Sequence, residues 1–274
     1  MSSLQTLQNL NNSLPKLPYK MPVLFVGHGS PMNAIEENEF TKGWAQMAEG
    51  LPKPRAILCI SAHWETRGTY VTAMEQPRTI HDFYGFPQAL FDVQYGAKGD
   101  PHLAEELRLL IRKTELQLDH EWGLDHGTWS VIKHIYPSAD VPVLQLSLAK
   151  NQAPAWHYEL AKELSTLRTK GVLMIGSGNI IHNLRLLNWQ KPEEAYDWAL
   201  DLNEQVKEFI SADQHQPLID YQQLGKAAAL AIPSPEHYLP LLYTLGLKEA
   251  QEQVTFMNDQ LQLGAISMTS LKIG

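Results

Sequence analysis

Four short runs of Val, Ile and Leu stand out along the chain: residues 22–27 (PVLFVG), 55–62 (RAILCISA), 141–148 (VPVLQLSL) and 171–177 (GVLMIGS). They are short and rich in Val, Ile and Leu, and read as central strands buried on both faces of a sheet. Residues 69–74 and 264–271 alternate apolar with polar side chains and read as flanking strands. Helical periodicity fills the intervals at 38–49, 101–117, 128–135, 154–169, 193–210 and 236–245. Pro101 suits a first helical turn, and Ser234-Pro235 suits an N-cap followed by the first helical residue. Strand–helix alternation of this kind predicts a single α/β domain, with a mostly parallel or mixed central sheet and helices on both faces. The Pro/Gly-rich stretch 76–101 is long for a loop, a length more often functional than idle.

Composition narrows the classes. The chain has 274 residues, 22 Lys and Arg against 30 Asp and Glu, and a formal net charge of −8. With no basic cluster longer than a pair, neither nucleic acid nor an anionic membrane is expected as a partner. Cys59 is the only cysteine, which excludes an internal disulfide and a cysteine-rich zinc site. No stretch approaches the length of a membrane span. The first twenty residues are polar and lack the apolar core of a secretory signal, so a cytoplasmic location is expected.

The histidines carry the chemistry. His28 directly follows the run at 22–27, His63 directly follows the run at 55–62, and His182 follows the run at 171–177. Ligand sites of open α/β sheets form outside the carboxyl ends of strands, so three strands deliver a His to one rim. Imidazole is the commonest transition-metal ligand, and a metal role competes here with ordinary hydrogen bonding at a sheet rim. His126 lies in a loop before a helix, and His237 opens the last long helix. His81 sits in the long loop as structural filler. His102, His120, His134, His157 and His215 are expected at the surface. Trp64 and Trp129 are placed near a flat aromatic ligand. Gly176-Ser177-Gly178-Asn179 lacks the spacing of a phosphate loop, and neither a nucleophile elbow nor an H-E-x-x-H helix occurs.

Six blocks together resemble the class III extradiol ring-cleavage dioxygenases, in their DOPA 4,5-dioxygenase-like branch. They are GHGSPMN (27–33), SAHWETRG (61–68), TIHDFYGFPQALFD (79–92), WGLDHGTWS (122–130), SGNIIHNLR (177–185) and PEHYLPLLY (235–243). The resemblance runs from about residue 21 to 274, leaving 1–20 as a polar tail and 21–274 as one catalytic domain. It implies a mononuclear non-haem Fe(II) that opens a catechol such as DOPA beside its two hydroxyls with O2. His28 and His63 match the family's metal histidines. His182 matches an active-site acid/base that can also reach the metal, and His126 a histidine associated with substrate. Where the protocatechuate-type enzymes use Glu as the third ligand, this branch has His237. An all-His set lacks one negative charge and also suits zinc.

If both Glu236 and His237 lay in a first helical turn, they would project about 100° apart and could not both face one ion. His237 is then the ligand, and Glu236 a charge favoured at a helix start. Two alternatives stand beside the dioxygenase: a zinc hydrolase on the same histidines, and a non-catalytic metal-binding protein of the same fold. The substrate beyond its catechol class and the oligomeric state are not legible.

Overall fold

The computed structural model describes residues 16–274. Most of the expected polar tail, residues 1–15, lies outside the described residues; Leu17 N donates to Thr169 O at 2.6 Å. The strands are β1 (Val23–Gly27), β2 (Ala56–Thr66), β3 (Thr69–Thr72), β4 (Leu116–Asp119), β5 (Val143–Ala149), β6 (Val172–Gly178), β7 (Val254–Met257), β8 (Leu261–Gln262), β9 (Ile266–Ser267) and β10 (Ser270–Ile273). The helices are α1 (Glu39–Met47), α2 (Gln88–Phe91), α3 (Pro101–Leu110), α4 (His126–Ile135), α5 (Pro154–Glu163), α6 (Ser165–Thr169), α7 (Asp197–Ser211), α8 (His215–Ile219), α9 (Lys226–Ala231) and α10 (Leu239–Gly246).

Eight strands form one mixed sheet in the order β4-β3-β5-β2-β6-β1-β10-β7. The four apolar runs are its centre, parallel to one another, and every residue of β1, β5 and β6 is buried. Successive side chains of a strand point to opposite faces, and the core divides accordingly. Val23, Phe25, Leu58, Leu144 and Met174 pack on one face with α3, α5, α7 and α10. Leu24, Val26, Ile57, Cys59 and Ile175 pack on the other with α1 and α4.

Several boundaries differ from expectation. The helix expected over 101–117 ends at Leu110, because Leu116 and Leu118 pair with β3 as a parallel edge strand. The helix expected over 154–169 breaks at Leu164, whose N–H bonds back to Ala161 O. The strand expected over 264–271 forms later, as β10, between β1 and the unforeseen edge strand β7. The helix expected from residue 236 begins at Leu239 with Pro240 in its first turn, and Glu236-His237 form a turn before it.

The register sets up the site. Ser177 of β6 lies level with Val26 of β1 and with Ser61 of β2, and Gly178 lies level with Gly27. β1 and β6 therefore end level, side by side, at one rim, where β2 leaves its pairing with β6 after Ser61 and runs on beside β5 to Thr66.

Candidate metal centre

His28 leaves β1 one residue after the sheet, its N–H donating to Gly178 O at 3.1 Å. His63 is not beyond β2 but within it, where pairing to β5 shifts register between Ile60 and Glu65. That irregularity sits at the residue which must turn toward the rim, a use to which bulges are suited. His126 is the first residue of α4 rather than a loop residue, capped by Asp125, whose carboxylate accepts from Thr128 N at 3.1 Å.

The five expected histidines converge. Ring centres lie 5.0 Å apart for His28–His63, 5.3 Å for His28–His237, 5.0 Å for His63–His237 and 3.9 Å for His63–His126. His182 stacks on His237 at 3.5 Å and 7°. Their ligand atoms fall into two metal-capable groups, His28–His63–His126 and His182–Glu236–His237.

Each of three rings has a partner at Nδ1, which leaves Nε2 to face inward. Ser177 Oγ donates to Gly127 O at 2.5 Å, so its lone pair accepts from His28 Nδ1 at 3.0 Å. His237 Nδ1 donates to Glu236 Oε1 at 3.2 Å, and Ser234 Oγ donates to the same oxygen at 2.9 Å. Asp82 Oδ2 lies 3.5 Å from His63 Nδ1. Glu236 is thus the partner of His237 and not a helix-end charge, since no helix begins there.

Glycine makes room for this crowding at two points. A Cβ on Gly178 would stand 2.1 Å from His237 O, and one on Gly127 would stand 2.5 Å from Ser61 Oγ and 2.9 Å from the His63 ring.

Burial, and then the neighbouring imidazoles, hold His28 and His63 well below the ordinary histidine range. His182 is pushed down to about 3 by the same two causes. Burial lowers His237 too, and Glu236 offsets only part of that. Burial works upward on Glu236, but His237, its own backbone and Ser234 bring it down to about 2. The cluster is therefore four neutral imidazoles with a carboxylate behind one of them, the protonation state that metal binding requires. Three atoms test the fit to an ion. His237 Nε2 is buried without a hydrogen-bond partner. His28 Nε2 and His63 Nε2 face each other at 3.2 Å. An ion about 2.1 Å from each nitrogen, at angles of 90–109°, would leave them about 3.0–3.4 Å apart. The residues fit.

Other expected residues go elsewhere. His81 Nε2 contacts Val93 O at 2.9 Å. Trp129 is fully buried and donates from Nε1 to Ile80 O at 2.8 Å, and Trp64 stacks on Trp122. His157 is not at the surface but fully buried, against the Tyr243 hydroxyl. His134 is half-buried on Asn33 O, and His215 on the Tyr158 hydroxyl. Asp82, Ser177 and the bond from Glu236 were not foreseen. All three lie inside the quoted blocks, Asp82 beside His81, Ser177 at the head of 177–185 and Glu236 beside His237.

The sequence from 21 to 271 matches the family described as the catalytic LigB subunit of aromatic ring-opening dioxygenase. The chain is 47% identical over 260 residues to a protein of Escherichia coli (strain K12) named 4,5-DOPA dioxygenase extradiol, covering 93% of this chain and 95% of that one. A Beta vulgaris protein of the same name is 33% identical over 257 residues, covering 90% and 94%. A crystal structure of an uncharacterized protein from Escherichia coli K12 superposes with a TM-score of 0.81 at 42% identity, over 93% of this chain and all of that one.

Proposed function

The chain belongs to the LigB family of aromatic ring-opening dioxygenases and is an extradiol ring-cleavage enzyme; from that premise we propose that it opens a DOPA-like catechol at a metal held by His28, His63 and His237. The observation that carries this reading is the clustering of the His28, His63 and His237 rings, 5.0–5.3 Å between centres, each with a partner at Nδ1, with Nε2 of His237 buried and unpartnered. Residues 21–274 are the catalytic unit.

A bound divalent ion would take both catechol oxygens and, as Fe(II), would pass electrons between ring and O2, which zinc with no accessible redox couple does not do. Fe(II) is accordingly the working metal, and zinc an occupant of the same nitrogens. The protein's own residues bind, orient and move protons. A catechol must give up hydroxyl protons to chelate, and buried neutral imidazoles are suitable acceptors. His182 and His126 take those roles. The depressed basicity of His182 rises when an anionic catecholate arrives beside it, because an opposite charge favours the imidazolium. Phe83 stands edge-on to His126 at 5.6 Å and supplies an apolar wall for a flat ring.

His182 is the fourth candidate ligand. Its ring lies parallel to that of His237, so in-plane lone pairs of the two run side by side. Stacked rings aim their nitrogens along parallel lines and not at one point. Ligation by His182 therefore requires its ring to turn, and in the stacked position it is available for proton transfer.

The test is O2 uptake by the Fe(II)-loaded protein on an oxygen electrode, across a panel of catechols including DOPA. Uptake matched by a ring-opened semialdehyde supports the reading. Hydrolytic activity with Zn²⁺ under anaerobic conditions, without O2 uptake, replaces it with the zinc hydrolase.

A further inference from the structure

We infer that Asp82 is a positioning residue for this reaction, one carboxylate holding both the metal-side His63 and the substrate-side His126. The inference rests on the metal site described above and extends it to a residue outside the histidine set.

Asp82 reaches the site from the long loop between β3 and α3. That loop is fastened to the start of α4 at several points. Ile80 N donates to Leu124 O at 2.7 Å, Leu124 N to Arg78 O at 2.9 Å, and Trp129 Nε1 to Ile80 O. The anchoring brings the Asp82 side chain, only 18% exposed, against two imidazoles at once. Oδ1 accepts from His126 N at 2.9 Å, one of the free N–H groups at the start of α4. Oδ2 lies 3.0 Å from His126 Nδ1 and 3.5 Å from His63 Nδ1. The first contact is close but out of line for a full hydrogen bond, and the second is longer still. Such contacts commonly tighten only when a site is loaded.

The consequence is a division of labour between two oxygens. Oδ1 fixes where α4 begins and hence where His126 stands. Oδ2 favours a proton on Nδ1 of both rings, which frees Nε2 of His63 for a metal and Nε2 of His126 for a substrate oxygen. Carboxylates behind metal-bound histidines set ring orientation and tautomer in this way, and losing one typically weakens metal binding by about 10–100-fold. His28 and His237 have their own partners, and among the described residues Asp82 is the carboxylate that faces His63 Nδ1.

The variant D82N separates positioning from loop anchoring, because its amide oxygen can still accept from His126 N while its NH2 cannot accept from either Nδ1. The measurements are Zn²⁺ affinity of the metal-free full-length protein against a competing chelator, kcat and KM for the catechol on the Fe(II)-loaded protein, and the melting temperature of the metal-free protein. Expected are a Zn²⁺ affinity at least about tenfold weaker, a loss in kcat larger than the change in KM, and a melting temperature close to that of the parent. D82E, which keeps the charge, should recover part of both losses. In ¹⁵N-histidine spectra of the metal-free protein, the two tautomers should change in D82N, a readout that survives even where activity is lost. Unchanged Zn²⁺ affinity, tautomers and kcat in D82N overturn the role. A parent protein that binds no metal overturns the site itself, and Asp82's part with it; the two failures are told apart by whether the parent or only the variant departs.

Discussion

The imidazoles of His182 and His237 lie face to face, 3.5 Å between centres and 7° from parallel. One of the pair has its Nδ1 tied to Glu236, whereas His182 is fixed mainly through its backbone, its N–H donating to Ala231 O at 2.9 Å. The tied ring is the one proposed to hold the metal, and its stacked neighbour is the freer of the two.

His126 and His182 should accordingly differ when removed. Both His126→Ala and His182→Ala should lose turnover by about two to four orders of magnitude, the usual contribution of a general acid or base. His126→Ala should retain its metal, as measured by elemental analysis, while His182→Ala loses some if the ring turns inward in the resting state. Normal turnover in both variants contradicts the acid/base assignment.

His28→Ala and His63→Ala should each abolish tight metal binding. Both rings project from the rim where β1 and β2 stop pairing with β6, and their Nε2 atoms are 3.2 Å apart. Full metal occupancy in both purified variants would contradict the site.

Glu236 and His237 should rank clearly. His237→Gln should weaken metal binding at least tenfold, about 1.4 kcal/mol. Glu236→Gln should cost less, because an amide oxygen can still accept from His237 Nδ1, and Glu236→Ala should fall between them or match the histidine variant. Competition titrations give the order, and a larger effect for Glu236→Gln than for His237→Gln would make the carboxylate the ligand.

Gly178→Ala should damage the centre without touching a histidine side chain. Its Cβ would meet the carbonyl of His237, which is backbone and cannot swing aside. Overpacking of this kind costs about 1–3 kcal/mol, read as a lower unfolding midpoint together with weaker metal binding. Gly96→Ala, where a Cβ meets nothing within 4 Å, is the silent control.

Acid should destabilise the fold through a residue remote from the site. Burial brings His157 down to about 4, from 6.5 in the unfolded chain. Between those values the unfolded chain takes up a proton that the folded one refuses, so stability rises with pH there. Acidification from about 6.5 to 4 therefore removes about 3 kcal/mol through this group. Urea unfolding from neutral pH to about 4.5 should show a shallower loss in His157→Gln, and an unchanged slope would mean that His157 is already protonated in the fold.

The central strands were legible because burial on both faces leaves short runs dense in Val, Ile and Leu, even where β5 buries Gln145 and Ser147 among them. Edge strands carry no such mark: Leu116 and Leu118 alternate with polar residues over too short a span to separate from the helix before them. The histidines declared themselves because three come after apolar runs, His28 and His63 directly and His182 a few residues on. Their supports did not, since Asp82 meets His126 across 44 residues and Ser177 meets His28 across 149, distances only the fold closes. Glu236 was visible beside His237 but misread. Ser234-Pro235 and Leu239-Pro240 both resemble helix starts, and the second prevailed, freeing Ser234 to bond Glu236 instead of a backbone amide.

The rim where β1 and β2 stop pairing with β6 places His28, Ser177 and His63 on or next to the innermost strands of the sheet, the part of a protein whose amides exchange last. Asp82, by contrast, arrives on a loop, in the class of structure that opens first. One wall of the centre will then persist until the whole domain unfolds, while the opposite wall can part locally. A metal can be captured by a nest that is already assembled, and a bulky ring admitted where the enclosure is hinged, without either event disturbing the other.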